Sequence, residues 1–357
     1  MKEGFLIVRR VLDMLGLDTA SKKGIFGTYV VLWVSSHVLV YASKTPGAPK
    51  YNATSVVLIT EAVKLVLALG MYRKYDGDVQ QLAREVLMSP DLLVKYTVPA
   101  LLYCIYNNLV YVNLSFFDPG TYNVLMQLRI VLTGCIYQVL FGKRLGRNQW
   151  LAIVLITLGC IVKESPKLMS SGSLPPAVAS AWLLLATQML CSVFAGVYNE
   201  KLLKGDGGSQ AKVGANLQNA YMYLNSILWN VVVLVLNGKL GEAIALDNLS
   251  VVCSPTILAL VAIMSSVGLV TGFFLKVLDS VLKSVAAAIE VVLTMLLSFV
   301  LFGTPLDLAA VLSAVLVGAG VALYARPPRR LDPAAALVER ETTTVGPSAS
   351  VGKKEDE

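Results

Sequence analysis

The chain has 357 residues, 56% of them hydrophobic and 15% charged, with a mean hydropathy of +0.67. That balance excludes an ordinary soluble globule and points to one polytopic membrane domain, and the net charge of +7 does not imply nucleic acid, because the basic residues lie mostly in short connections between apolar runs. Five cysteines without C-x-x-C spacing and a single histidine, His37, exclude a disulfide framework and a multi-histidine metal site, so no metal or cofactor is expected.

Residues 1–23 read as an amphipathic, cytosolic N-terminus. Arg9, Arg10 and Asp13 interrupt its apolar character and no A-x-A site follows, which argues against a signal peptide and for a helix lying on the membrane face. Crossings are then expected near 24–43, 53–71 and 96–117, with a polar helical stretch at 72–95 between the second and third. Glu61 and Lys64 stand one turn apart on the second crossing, as a structural pair or a gate. After the Pro119-Gly120 turn, a fourth crossing over 118–142 carries Arg129 near its middle. A charge at that depth costs at least about 2.5 kcal/mol unless it has a partner or lines a wet cavity, so its default reading is functional. A fifth crossing at 146–162 completes a first unit, 24–164. A Ser/Gly/Pro linker, 165–176, separates it from five further crossings near 177–198, 216–237, 255–277, 280–302 and 305–325, the second unit being 177–325. The remainder, 326–357, reads as a disordered cytosolic tail.

The two units are copies. Asp118 to Gly142 aligns without a gap on residues 161 positions later: Val131/Val292, Leu132/Leu293, Thr133/Thr294, Val139/Val300, Leu140/Leu301, Phe141/Phe302 and Gly142/Gly303 are identical pairs, followed by Leu145/Leu306 and Gly159/Gly320. In that register Tyr122 falls on Lys283 and Arg129 on Glu290. Five crossings per copy place the second copy upside down relative to the first, an all-α plan of ten transmembrane helices in two inverted five-helix repeats, with the solute site expected between them near the midplane. Arg129 and Glu290 could hold a solute or pair with each other. Lysines and arginines concentrate on one side of this topology, leaving only Lys44, Lys50, Lys163, Lys167 and Lys239 on the other, which places both termini in the cytosol. Lys283 either serves the site or snorkels from its helix end; His37 reads as a structural residue on an apolar helix. Gly205 to Gly208 reads as linker, since no P-loop context follows. Two N-x-S sequons occur, at Asn248 in a connection expected on the lumenal side and at Asn113 on a membrane edge.

Several segments, TSVVLITEAVKL (Thr54 to Leu65), LLYCIYNNLVYV (Leu101 to Val112), DPGTYNVLMQLRI (Asp118 to Ile130), FAGVYNEKLLK (Phe194 to Lys204), NLQNAYMYL (Asn216 to Leu224) and VLKSVAAA (Val281 to Ala288), together resemble the nucleotide-sugar transporters of the Golgi and endoplasmic reticulum. The similarity runs from about Ala20 to Tyr324 and is closest to the branch carrying CMP-sialic acid, UDP-galactose and UDP-N-acetylglucosamine. The resemblance implies a drug/metabolite-transporter fold and, rather than an enzyme, an antiporter in the lipid bilayer that exchanges a cytosolic nucleotide sugar for a lumenal nucleoside monophosphate. By the same resemblance Tyr103, Tyr122, Arg129 and Lys283 match positions near the phosphates, and Asn107, Asn219, Tyr223 and Asn225 match positions near the base and ribose. This chain departs from the branch at Arg129, usually Lys, and at Asn225, a small hydroxyl in the sialate transporters. Two other functions fit the same fold: a proton-coupled metabolite exporter with Glu61 or Glu290 as carrier, and a non-transporting scaffold. Lys353 and Lys354 stand one position too far from the C-terminus for a dilysine retrieval signal, which favours the Golgi over the endoplasmic reticulum; a homodimer is left open.

Overall fold

The computed structural model describes residues 15–42, 53–117, 122, 125–171, 179–205, 213–245, 253–303 and 306–325. Among the described residues there are thirteen helices and no strand. They are α1 (Ala20–Ala42), α2 (Ala53–Tyr75), α3 (Val79–Met88), α4 (Pro90–Lys95), α5 (Thr97–Phe116), α6 (Arg129–Phe141), α7 (Arg147–Ser171), α8 (Ala179–Lys204), α9 (Ala215–Leu236), α10 (Leu240–Ile244), α11 (Pro255–Val277), α12 (Ser280–Phe302) and α13 (Leu308–Tyr324). Among the described residues, five stretches are long and apolar enough to cross a membrane: Ser55–Tyr75, Ala179–Lys204, Ala215–Leu236, Pro255–Val277 and Ser280–Leu301. Shorter apolar helices cover Arg129–Phe141 and Leu308–Tyr324. A helix thus lies at each expected crossing, and five of these helices satisfy the length and apolarity criterion by themselves. The expected N-terminal amphipathic helix up to residue 14, the C-terminal tail and the Asn248 sequon fall outside the described residues.

Local chemistry explains where the helices begin and end. Asp78, Asp279 and Asp307 accept hydrogen bonds from the backbone N–H of Gln81, Leu282 and Ala310 at 2.8, 2.7 and 2.8 Å, satisfying donors that a helix start leaves open. Gly142 and Gly303, a pair matched by the sequence repeat, end α6 and α12 in the left-handed conformation with φ of 62° and 66°, a backbone state that disfavours any side chain with a Cβ.

Two elements differ from the sequence expectation. The fourth crossing is not one continuous helix: Leu128 and Ile130 donate to the carbonyls three residues back, at Leu125 and Gln127, and the regular helix starts only at Arg129. No glycine or proline causes this break; Gln127 lines an internal cavity, and irregular backbone at membrane depth is tolerated where it borders one. Helix α7 continues to Ser171, into the stretch expected as linker. Pro166 lacks the N–H that would reach the Val162 carbonyl, and the Ser165 hydroxyl donates to that carbonyl instead, at 2.7 Å, so the helix runs through.

Helices from the two halves interleave. α7 packs along α13 in the most extensive seam, α2 packs on α9, α5 on α8, and α1 on α11 and α12. The two repeat-matched glycines lie in the α7–α13 seam. A Cβ on Gly159 would lie 2.9 Å from Val317 Cγ2 and 3.1 Å from the Val317 backbone N; one on Gly320 would lie 2.6 Å from Ile156 Cγ1 and 3.1 Å from the Ala152 carbonyl. Each glycine therefore admits the opposite backbone. Gly320→Val is expected to lower stability by about 1–3 kcal/mol through forced separation of the two helices, read as a drop in thermal midpoint in detergent; an unchanged midpoint would contradict the seam.

Candidate functional site

A cavity of about 380 Å³ lies between α1, α5, α6, α8 and α12. Aromatic and small residues form most of its wall, among them Tyr29, Trp33, Tyr103, Tyr106, Ser192, Gly196 and Ala288, and its charged lining consists of Arg129, Lys283 and Glu290, with His37 beside them. Arg129 and Lys283 come from the two helices that the sequence repeat relates, α6 and α12. Arg129 donates from Nη1 to the Tyr106 hydroxyl at 3.3 Å. The Lys283 ammonium has no hydrogen bond or ion pair among the described residues. It lies near the bare Cα of Gly196: a Cβ there would sit 3.7 Å from Lys283 Nζ and 3.5 Å from the Tyr103 hydroxyl. Glycine at that point, inside the FAGVYNEKLLK segment, leaves the space between hydroxyl and ammonium open.

Arg129 and Glu290 do not pair with each other. Glu290 is instead held by the His37 imidazole, Nδ1 to Oε1 at 2.9 Å, and by the Thr294 hydroxyl at 3.1 Å. His37, expected as a structural residue, lines the cavity, with Trp33 stacked on its ring at a centroid distance of 5.7 Å. The repeat mate of Thr294, Thr133, bonds to the Arg129 carbonyl at 2.8 Å. Identity at that repeat position was visible in the sequence; the proximity of His37 to α12 was not.

The other expected site residues lie elsewhere. Tyr122 is buried among Phe117, Met126, Ala181 and Leu185, and its hydroxyl accepts from Gln188 Nε2 at 2.8 Å. Gln188, fully buried on α8, also accepts from Asn113 Nδ2 at 2.7 Å and donates to the Tyr106 carbonyl at 3.3 Å, so one amide ties α8 to α5 and to Tyr122. That bond also removes Asn113 from the reach of glycosylation. Asn107 is exposed and does not line the cavity.

A second polar centre sits where α2 meets α9 and α11. Glu61 and Lys64 form the ion pair that their spacing implies. Lys64 stands 4.8 Å from the centroid of the Tyr223 ring and is accommodated by the missing side chain of Gly268. Asn219 and Tyr223 are both buried there, with Asn219 Nδ2 and the Tyr223 hydroxyl unpartnered among the described residues. Asn225 differs: its amide donates to the carbonyls of Leu93 and Tyr221 at 3.1 and 2.9 Å and accepts from Thr97 at 2.9 Å, which makes it a joint between α9 and the α4–α5 corner.

The described helices thus surround a cavity that carries two cations and one carboxylate, charges whose default reading at membrane depth is functional. The nucleotide-sugar transporter family model matches residues 22–325, and the chain belongs to that family. It is 35% identical over 337 residues to the UDP-galactose transporter senju of Drosophila melanogaster, covering 85% of this chain and 86% of that protein. It is 31% identical to the mouse UDP-galactose translocator, covering 80% and 73%, and 27% identical to the CMP-sialic acid transporter 2 of Oryza sativa subsp. indica, covering 82% and 81%. A solved crystal structure at 15% identity superposes with a TM-score of 0.65 over 90% of this chain and 99% of its own, a likeness of fold.

Removing the Gln188 amide leaves buried polar groups on Asn113 and Tyr122 without their partner. Gln188→Ala is therefore expected to destabilise the protein by about 2–4 kcal/mol, from lost hydrogen bonds together with a cavity. Thermal unfolding in detergent measures this, and a shift no larger than that of an exposed-site substitution would contradict it.

Proposed function

We propose that this protein is an antiporter that moves a cytosolic pyrimidine nucleotide sugar into the Golgi lumen in exchange for the nucleoside monophosphate released there. The observation that carries the reading is the pair of fixed cations, Arg129 and Lys283, facing one cavity, with the Lys283 ammonium making no hydrogen bond or ion pair among the described residues. A nucleotide supplies the missing negative charge, and the planar fork of Arg129 suits phosphate oxygens. Tyr103, whose hydroxyl borders the same space as Lys283, adds a directional donor. Asn219 and Tyr223 carry the unpartnered groups suited to base and ribose, in keeping with the positions they match in the family.

The ten-helix inverted repeat with both termini cytosolic belongs to the same proposal, and the packing supports it. Exchanging the halves turns the α1–α11 contact into α8–α5, the α1–α12 contact into α8–α6 and the α5–α9 contact into α11–α2, and all of these contacts occur. The seams α2–α9 and α7–α13 map onto themselves. Such an arrangement lets one half rock against the other about a central site. Exchange rather than leak follows if the empty cavity, with its cations uncompensated, reorients more slowly than the loaded one.

Counterflow in proteoliposomes tests the proposal. Vesicles preloaded with UMP or CMP are expected to take up a labelled pyrimidine nucleotide sugar faster than empty vesicles. A proton gradient alone is expected to drive none. Uptake that is indifferent to internal nucleotide would contradict exchange.

A further inference from the structure

Glu290 is the one anion lining the cavity among the described residues, and its carboxylate is used on one side only. Oε1 takes the His37 Nδ1 contact at 2.9 Å and the Thr294 hydroxyl at 3.1 Å. His37 Nδ1 also lies 3.1 Å from the Trp33 carbonyl, and because both neighbours are acceptors, Nδ1 is the protonated nitrogen. Oε2 has no protein partner among the described residues, although Glu290 is only 7% exposed. A carboxylate oxygen that meets no donor among the described residues, on a side chain that lines a cavity, is an acceptor open to a donor from the solute.

Its position says which part of the solute. Glu290 follows Lys283 by seven residues on an uninterrupted helix, two turns or about 10 Å along the axis. If Lys283 and Arg129 hold the phosphates, the carboxylate stands two turns beyond Lys283, within reach of the group that the phosphate carries. Phosphate itself cannot be the partner, since like charges repel at this depth.

Resting on the function proposed above, we infer that Glu290 accepts hydrogen bonds from hydroxyls of a neutral sugar and excludes sugars that bear a carboxylate, with His37 as a positioning residue that fixes which oxygen is free. With Arg129 and Lys283 taken up by the phosphates, a second carboxylate brought against Oε2 would set two like charges side by side, so the same group that favours a neutral hexose rejects a uronic or sialic acid.

The test uses the full chain purified in detergent, with binding of UMP, UDP-galactose and UDP-glucuronate measured by calorimetry. The wild-type protein is expected to prefer UDP-galactose to UDP-glucuronate by about tenfold or more. Glu290→Gln, close to isosteric, is expected to weaken UDP-galactose about tenfold, to leave UMP within about twofold and to close most of the gap between the two sugars. His37→Ala should weaken UDP-galactose in the same sense, and His37→Asn, which keeps a donor, should recover part of the loss. Parallel loss of UMP and UDP-galactose in Glu290→Gln would show a structural role and overturn the inference, as would unchanged discrimination between the sugars. Failure of the wild-type chain to bind UMP at all overturns the proposed function, and the inference with it.

Discussion

Uncompensated positive charge inside a bilayer protein is the constraint on which the rest of this structure depends. Arg129 and Lys283 face one cavity, and the one lining carboxylate among the described residues, on Glu290, is already engaged by His37 and Thr294. A charge at this depth is tolerated when it has a partner or water, and among the described residues the Arg129 guanidinium bonds to the Tyr106 hydroxyl while the Lys283 ammonium makes no hydrogen bond. The surrounding features follow from that need. Tyr106 receives the guanidinium, Gly196 leaves room before the ammonium, and the helical ladder opens just ahead of Arg129 where the chain borders the cavity.

The bundle keeps this centre in place through joints that are themselves polar or close-packed. Gln188 ties α8 to α5 and Tyr122 behind the cavity wall. At one end of α12, Glu200 on α8 accepts the Ser280 N–H at 2.7 Å and pairs with Lys204 at 2.6 Å, so the start of the helix that carries Lys283 is fastened to its neighbour by a fully buried carboxylate. On the far side, the glycine seam between α7 and α13 allows two backbones to meet. Helices that must hold a charged centre and still permit relative motion are better served by such discrete contacts than by a uniform apolar interface.

Much of this was legible in the sequence because the repeat writes geometry twice. Gly142 and Gly303 match because both helices stop in a left-handed turn, and Gly159 and Gly320 match because each faces the other's helix. The cations were legible because charge in an apolar run has few explanations. What one sequence could not show were contacts between residues far apart in it. Nothing near His37 announces Glu290, and nothing in the helical spacing of Tyr122 reveals that its hydroxyl meets Gln188. Asn225 reads like a ligand residue, yet its amide is committed to Leu93, Tyr221 and Thr97. The break ahead of Arg129 carries no glycine or proline, and Pro166 reads as linker although the Ser165 hydroxyl substitutes for the missing donor.

The central claim is that the unpartnered ammonium of Lys283 recognises the phosphate of the solute, and the most direct measurement is the affinity for uridine against UMP in the wild-type chain and in Lys283→Met. Wild-type protein should bind UMP more tightly than uridine by at least about tenfold, a charge-assisted hydrogen bond contributing about 1.5–3 kcal/mol. Lys283→Met should lose most of that preference while its affinity for uridine stays unchanged. An undiminished preference for UMP in Lys283→Met, or an equal fall for both ligands, would contradict the account.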